Sequence, residues 1–415
     1  MSAETPRGSD RPVLLVLAST YPRFPNDPEP GFVHALCRRL LGDFDVIALV
    51  PDAPGADPSG VLDGVEVIRY RYAPRRWETL VNMGGIATNL KRSPWKWLLV
   101  PGFMIVPYLI ALRLRHRRRI DLIHAHWLLP QGLVAWALSG TTPYLVTSHG
   151  GDLFGLRGRI ALALKRLVAK RASAMTVVSS AMREEAHAIG LAPPVLCVVP
   201  MGADLRARFV PSPDTARSDD TLLFVGRLVA KKGLDVLLDA MPAIVASRPR
   251  ARLRIAGFGP EEASLRAQAR RLGIEGNVEF LGAMAQDRLP DLYRTAALCV
   301  APFVRDESGN QEGLPVVLME AIGCGCPIVV GDVAGVRDLL GDGHAEVRVP
   351  PGDAGALARA VLDSLSDAAR ARERALEIRA DVIARIDWEN VAAAYARTLK
   401  DCLPDAGDAR ASRAD

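Results

Sequence analysis

The sequence predicts an α/β protein of two domains, each a parallel sheet wrapped by helices. Three observations predict it. The chain has 415 residues, enough for two domains of ordinary size with separate cores. Short runs rich in Val, Ile and Leu recur along it and alternate with helix-like stretches, as strands buried on both faces of a parallel sheet do. A polar break, PSPDTARSDD (Pro211–Asp220), divides the series and reads as the linker between units spanning 1–210 and 211–385.

In order, the first half offers VLLVLAS from Val13, DVIALV from Asp45, VEVIRY from Val65, DLIHAH from Asp121, PYLVTS from Pro143, AMTVVS from Ala174 and VLCVVP from Val195. Helical stretches fall at Phe32–Leu41 and Arg159–Ala172. The second half offers TLLFVG from Thr221, RLRIAG from Arg252, VEFLG from Val278, ALCVAP from Ala297 and PIVVGD from Pro327. From about Ala368 the pattern is helical, ending in DWENVAAAYARTL (Asp387–Leu399), and the residues from about Asp405 read as frayed.

One apolar run stands apart. WLLVPGFMIVPYLIAL (Trp97–Leu112) precedes the basic run RLRHRRR (Arg113–Arg119). It falls short of the roughly 20 apolar residues a spanning helix needs, and Pro101 and Pro107 are expected to interrupt it. The favoured reading is a buried helix ahead of a strand at Ile120. The alternative is a membrane-facing patch, with arginines on acidic headgroups and apolar side chains in the interface.

Composition narrows the class. With 49% apolar and 24% charged residues the chain is globular rather than disordered. A net charge of +5 and a pI near 9.0 favour anionic partners: nucleic acid, acidic lipid or phosphorylated substrates. Cys37, Cys197, Cys299, Cys324, Cys326 and Cys402 form no CxxC and no paired metal spacing, which suits buried thiols in a reducing compartment. The polar start, MSAETPRGSDRP, and the short run Val13–Ala18 do not make a signal peptide.

Four constellations carry chemistry. GRLVAKKG (Gly226–Gly233) follows the strand TLLFV, and ligands of open α/β sheets sit beyond the carboxyl ends of strands. Arg227 and Lys232 therefore point at a pair of phosphates, or form a solvated basic turn. In QEGLPVVLMEAIGCGCP (Gln311–Pro327) Pro315 suits a first helical turn and Gly323 and Gly325 its end. Amides near Gly313 and Leu314 are then left for an anion. Glu312 and Glu320 stand on the order of 10 Å apart at 1.5 Å per helical residue, both ionised and accepting from hydroxyls of a nucleotide sugar. The bland alternative is a capping acid and a solvent-facing acid.

TSHGGDLFG (Thr147–Gly155) places two glycines where a backbone can approach a ligand, and His149 beside them to donate to a sugar hydroxyl or stabilise charge. The loop STYPRFPNDPEPGF (Ser19–Phe32) ends with Gly31 opening a helix and either covers phosphates or is plain surface. HAHWLLPQG (His124–Gly132) lacks a third ligand, so a metal is rejected. GFGPEE (Gly257–Glu262) lacks the third glycine of a dinucleotide fingerprint, and the Asp43/Asp45 pair enters a strand and reads as a turn.

Together GRLVAKKG, GFGPEE, VEFLG and EGLPVVLMEAIGCGCPIVV resemble the retaining glycosyltransferase family 4, in order and in the acid–seven–acid spacing of Glu312 and Glu320. ASTYP, HAHW, TSHGGD, PPGDAGALARAV (Pro350–Val361) and the tail with Trp388 extend the similarity over nearly the whole chain. The resemblance implies the GT-B fold: two Rossmann-like domains facing a central cleft, acceptor side 1–210 and donor side 211–385, with the tail 386–415 crossing back to the first. It implies that Arg227 and Lys232 grip the donor diphosphate, that Glu320 binds ribose, and that Glu312 touches the transferred sugar with His149 beside it. Gly31, Gly257, Leu281, Gly313 and Leu314 complete the donor site. This chain has Pro-Gly-Phe at Gly31 where many relatives carry paired glycines.

The implied reaction moves a sugar from a UDP- or GDP-linked donor to a hydroxyl of a glycan or polyprenyl-diphosphate-linked saccharide, with retention, no bound metal and no cofactor. An acidic membrane surface is a further expected partner; nucleic acid is not. The expected location is cytoplasmic, on the inner face of the cell membrane. A sugar-nucleotide epimerase or hydrolase, or a non-catalytic sugar-nucleotide-binding protein, is the alternative.

Overall fold

Two twisted sheets organise the chain in a computed structural model, which describes residues 11–404 other than 25, 26, 28–30, 82–85, 141 and 308. The first holds β1 (Val13–Leu17), β2 (Asp45–Pro51), β3 (Ser59–Leu62), β4 (Val65–Tyr70), β5 (Leu122–His126), β6 (Tyr144–Ser148), β7 (Ala174–Val177) and β8 (Leu196–Val198), in the order β3-β4-β2-β1-β5-β6-β7-β8. All its pairings are parallel except β3 with β4. The second holds β9 (Thr221–Val225), β10 (Arg252–Ala256), β11 (Val278–Gly282), β12 (Leu298–Ala301), β13 (Ile328–Gly331) and β14 (Arg348–Val349), in the order β11-β10-β9-β12-β13-β14, all parallel. Each strand candidate read from the sequence becomes a strand. The two strands not foreseen are β3, a largely exposed SGVL with no apolar stripe, and the two-residue β14.

Both sheets reverse their order beside the first strand, at β1/β5 and at β9/β12. A crevice opens beyond the carboxyl ends of strands at such a switch point. The loops after β1, β5 and β6 face those after β9, β10 and β12 across a cleft of about 1320 Å³.

The chain changes core between Met201, which packs with the first sheet, and Ala203, which packs with the second together with Leu205 and Phe209. The crossing therefore precedes the polar break. The tail returns. Ile378, Val382 and Ile386 of the helix Ala368–Ile386 join the second core. Trp388, Val391, Tyr395 and Leu399 of the helix Trp388–Asp401 join the first, one apolar stripe at helical spacing. Asp387 pins the turn between them: its side chain accepts from the Glu389 amide at 3.1 Å and pairs with Arg206 at 3.2 Å.

The run after Trp97 departs from the favoured expectation. A 3-10 turn over Pro94–Leu99 leads into a helix, Val100–Arg117, that continues through Pro107. Pro101 sits in the first turn, where an amide has no intrahelical acceptor. The helix is not buried all round. Phe103, Pro107, Ala111 and Leu114 face the first core, while Trp97, Leu98, Ile105 and Leu109 stay 58%, 81%, 53% and 49% exposed. Pro94–Arg117 is long and apolar enough to cross a membrane by length and composition alone.

Candidate active site

The donor-side wall is built from the β9 and β12 loops. After β9 the chain makes a short turn, Ala230–Lys232, which aims two lysines at one carboxylate. Lys232 Nζ lies 3.3 Å from Glu312 Oε2, and Lys231 Nζ 2.9 Å from Oε1. The second contact is an ion pair without an aligned hydrogen bond, since Oε1 accepts none. Lys232 also stands over the Phe303 ring, 5.0 Å from its centroid. Arg227 lines the cleft near enough to Lys232 to work with burial in lowering its pKa. Burial works to raise the Glu312 pKa, but Lys231 and Lys232 overcome it and hold the carboxyl at about 2. The basic turn is therefore not a solvated one.

Pro315 caps the helix Val316–Gly323, and Glu312 and Leu314 line the cleft ahead of it. The first amides of this helix have no intrahelical acceptor, and its dipole adds positive potential where Arg227 and Lys232 already converge. Glu320 lies within the helix, 3% exposed. Tyr293 donates to its Oε2 at 3.2 Å, and Gln286, which lines the cleft, lies close enough to help lower its pKa. The sequence reading held both acids ionised; for Glu320 the structure corrects this. Burial raises its pKa to about 7, against the lowering effect of Tyr293 and Gln286, so it is part-protonated at neutral pH. Helical spacing gave its position but not the loss of water around it.

Glycines join the halves. Gly150 has φ 101°, open to glycine at little cost, and a Cβ there would lie 3.3 Å from Gly313 Cα. A Cβ on Gly313 would stand 2.8 Å from Met182 Sδ and 3.2 Å from the His149 carbonyl. Gly313 thus sits behind the cleft surface as the point where the two backbones touch. Gly257 lines the cleft, and a Cβ there would fall 1.8 Å from the Gly226 carbonyl oxygen.

His149 follows β6 and lines the cleft, held between Phe32 and Trp127 with ring centroids 5.0 Å away in each case. Its backbone is fixed by Asp152, which accepts from the His149 amide at 3.2 Å, the Leu128 amide at 2.7 Å and Ser148 Oγ at 2.8 Å. Burial lowers the imidazole pKa to about 3. That direction favours the neutral ring, and hydrogen bonding over charge stabilisation by an imidazolium.

Two donor-site expectations shift. Leu281, partly exposed, packs against the second core while its strand neighbour Phe280 packs against the core on the other face of the sheet; the cleft surface beyond β11 is Ala283 and Met284. Gly31 lines the cleft and caps the helix Phe32–Leu40, but a Cβ on it would meet nothing within 4 Å. Pro25, Asn26 and Pro28–Pro30 of the preceding loop lie outside the described residues.

Sequence reasoning missed Lys231, Gln286, Arg208, Trp127 and His126. Lys231 sits beside Lys232 in the same motif, and the histidines of HAHW read from sequence only as a metal pair short of a third ligand. His126 instead hydrogen-bonds His149. Arg208, which lines the cleft and helps lower the Glu320 pKa, and Gln286 carry no local signal. Among the described residues no group of three or more His, Cys, Asp or Glu could hold a metal ion.

Residues 31–202 match the family described as "Glycosyl transferase 4-like domain", and residues 219–367 match "Glycosyl transferases group 1". The chain is 28% identical over 411 residues to a glycogen synthase of Mycobacterium tuberculosis, covering 92% of this chain and 93% of that one. It is 30% identical over 275 residues to the GDP-mannose-dependent alpha-(1-6)-phosphatidylinositol monomannoside mannosyltransferase of Mycobacterium tuberculosis, covering 63% of this chain and 71% of that one. The chain belongs to the family 4-like glycosyltransferases. A solved sucrose-phosphate synthase from Thermosynechococcus elongatus shares the GT-B fold with TM-score 0.74 and 22% identity, covering 94% of this chain and 98% of that one. The activity of this glycosyltransferase is sugar transfer, which sets aside the epimerase, hydrolase and non-catalytic readings.

Proposed function

We propose that this glycosyltransferase moves a sugar, with retention and without a bound metal, from a nucleoside diphosphate donor to a lipid-linked saccharide at a membrane surface. The observation that carries the reading is that Arg227, Lys232, His149 and the residues opening the helix Val316–Gly323 line one cleft, with Lys232 3.3 Å from Glu312 just ahead of that helix. When the anomeric C–O bond breaks, its electron pair leaves with the nucleoside diphosphate. Preplaced cations and amides stabilise that charge where it develops. Glu312, held ionised by Lys231 and Lys232, accepts from hydroxyls of the transferred sugar. His149, neutral, donates to it from the other side. The acceptor oxygen enters on the face the diphosphate leaves and passes its proton to a phosphate oxygen, so the step needs no protein base. Glu320 receives the ribose hydroxyls.

The acceptor reading is supported by the helix Val100–Arg117. Val100, Phe103 and Met104 line the cleft, while Leu98, Ile105 and Leu109 form an exposed apolar ridge followed along the helix by the exposed Arg113 and Arg117; Arg118 and Arg119 pair with Glu66 and Asp121. Such a ridge enters a headgroup interface and its arginines meet acidic lipids. The named acceptor of the mannosyltransferase relative is itself a phosphatidylinositol derivative. This reading places the chain on the cytoplasmic face of the membrane and in assembly of an envelope glycan or polysaccharide.

Incubating the chain with a polyprenyl-diphosphate-linked saccharide and a panel of UDP- and GDP-sugars in EDTA tests the chemistry. Product with the donor's anomeric configuration is expected; an inverted product, or a requirement for a divalent cation, would refute it. Flotation with acidic liposomes at low salt tests the surface. Wild type is expected to float and Leu98→Ser/Ile105→Ser/Leu109→Ser to stay behind; equal behaviour would overturn the docking face.

A further inference from the structure

β5 carries His124 and His126 at alternate positions, so both rings fall on one face of the sheet, beside the loop that presents His149. His126 is fully buried. Its Nδ1 lies 2.9 Å from His149 Nε2, and the two rings lie edge to edge with centroids 5.2 Å apart and planes 12° from parallel. This contact occupies one nitrogen of His149. Nδ1 is the ring nitrogen left for a ligand, with no hydrogen bond to any described residue.

A hydrogen bond between two neutral imidazoles has two senses, and each sets the opposite polarity at the cleft. In one, His149 donates from Nε2 and offers a lone pair at Nδ1. His126 then carries its own proton on Nε2, which is buried with no partner among the described residues. In the other, His126 donates from Nδ1, its buried Nε2 is a bare lone pair, and His149 carries its proton on Nδ1. Either sense leaves His126 Nε2 without a partner among the described residues; an orphaned buried N–H is the defect folded proteins most avoid, so the second sense, which has none, is the better one. Burial keeps both rings neutral, as it holds His149 at about 3 and His126 well below its ordinary value.

We propose that His126 is a positioning residue that donates to His149 and so fixes it as the Nδ1–H tautomer, presenting an N–H rather than a lone pair to the transferred sugar. The proposal rests on the sugar-facing role of His149. Its consequence is specificity of sense: the site accepts a sugar oxygen at this point and gains nothing from a sugar N–H there. His124 belongs to a different network, bonding Thr147 Oγ1 at 2.7 Å, which in turn meets Thr176 Oγ1 at 2.6 Å.

Ring-nitrogen NMR of the full chain labelled with 15N-histidine, assigned by His126→Asn and His149→Ala, reads the tautomer directly and independently of turnover. A proton on His149 Nδ1 is expected; a proton on Nε2 would overturn the proposal. Two buried amides then separate positioning from packing. Asparagine at 126 places its NH2 near the native Nδ1, whereas glutamine places it near Nε2. His126→Asn is expected to keep turnover within about 3-fold of wild type and His126→Gln to lose about 10-fold or more with little change in donor KM, the scale on which mis-set second partners act. Equal turnover in the two variants at equal melting temperature would overturn it. Full turnover in His149→Ala would remove the sugar-facing role instead, whatever tautomer the spectrum shows.

Discussion

Replacing Arg227 or Lys232 with alanine is expected to cut turnover at saturating donor by at least ~100-fold, about 2.7 kcal/mol of transition-state stabilisation. Lys232 is the sharper case. It is largely shielded from water, and burial pulls its pKa down while Glu312 pulls it up. Its charge is thus maintained by a carboxylate 3.3 Å away, ready for a second anion without reorganising solvent. Removal leaves Glu312 paired with Lys231 alone and takes one positive charge from the place where the leaving group becomes negative. Arg227→Lys keeps the charge but loses the planar fork that grips two phosphate oxygens, so it should fall between wild type and alanine. Single-turnover kinetics on variants with wild-type melting curves checks the prediction, and near-normal turnover in either alanine variant would remove the donor-diphosphate assignment.

Affinity for an intact nucleotide sugar is expected to weaken as pH falls from 8 to 5, by a factor approaching ~100. Glu320 supplies the effect. Its pKa of about 7 in the free chain means that the carboxylate dominates at pH 8 and is a small minority at pH 5. Ribose hydroxyls donate to the carboxylate, so the donor binds the ionised form. Below pH 7 the dominant protonated form must first shed its proton, at a cost of about 1.4 kcal/mol per pH unit. The sign is opposite to that of a cationic site, which would bind better in acid. Calorimetric titration across the range checks it, with Glu320→Gln as the control. The control should bind weakly at every pH and show no slope. A flat wild-type profile would mean that Glu320 does not meet the donor, or meets it protonated. Glu312, held at about 2 by its two lysines, stays ionised throughout and contributes no slope.

Much of this was legible in the chain itself. Val/Ile/Leu runs gave the strands because a strand buried on both faces has almost no polar positions to disguise it. GRLVAKKG and the segment from Gln311 to Pro327 pointed to residues that line the cleft, because Arg227, Lys232 and a helix start are local features of charge and turn chemistry. The alternating histidines of HAHW were equally visible, yet their use was not. His126 meets His149 only because β5 and β6 lie side by side in parallel register, His126 opposite Thr147.

Local patterns along the chain were enough for two α/β units, the helical tail from Trp388 to Leu399, and the cations and glycines of the cleft, since each follows from local periodicity or conformational need. Tertiary structure alone decided which groups lose water and which meet across the chain. It placed Glu320 deep enough to hold a proton near neutrality and put Lys231 on Glu312. It also packed Leu281 against the second core and left one face of the helix Val100–Arg117 bare. Desolvation and Coulomb coupling depend on distances between residues remote in sequence, and no local pattern encodes those distances.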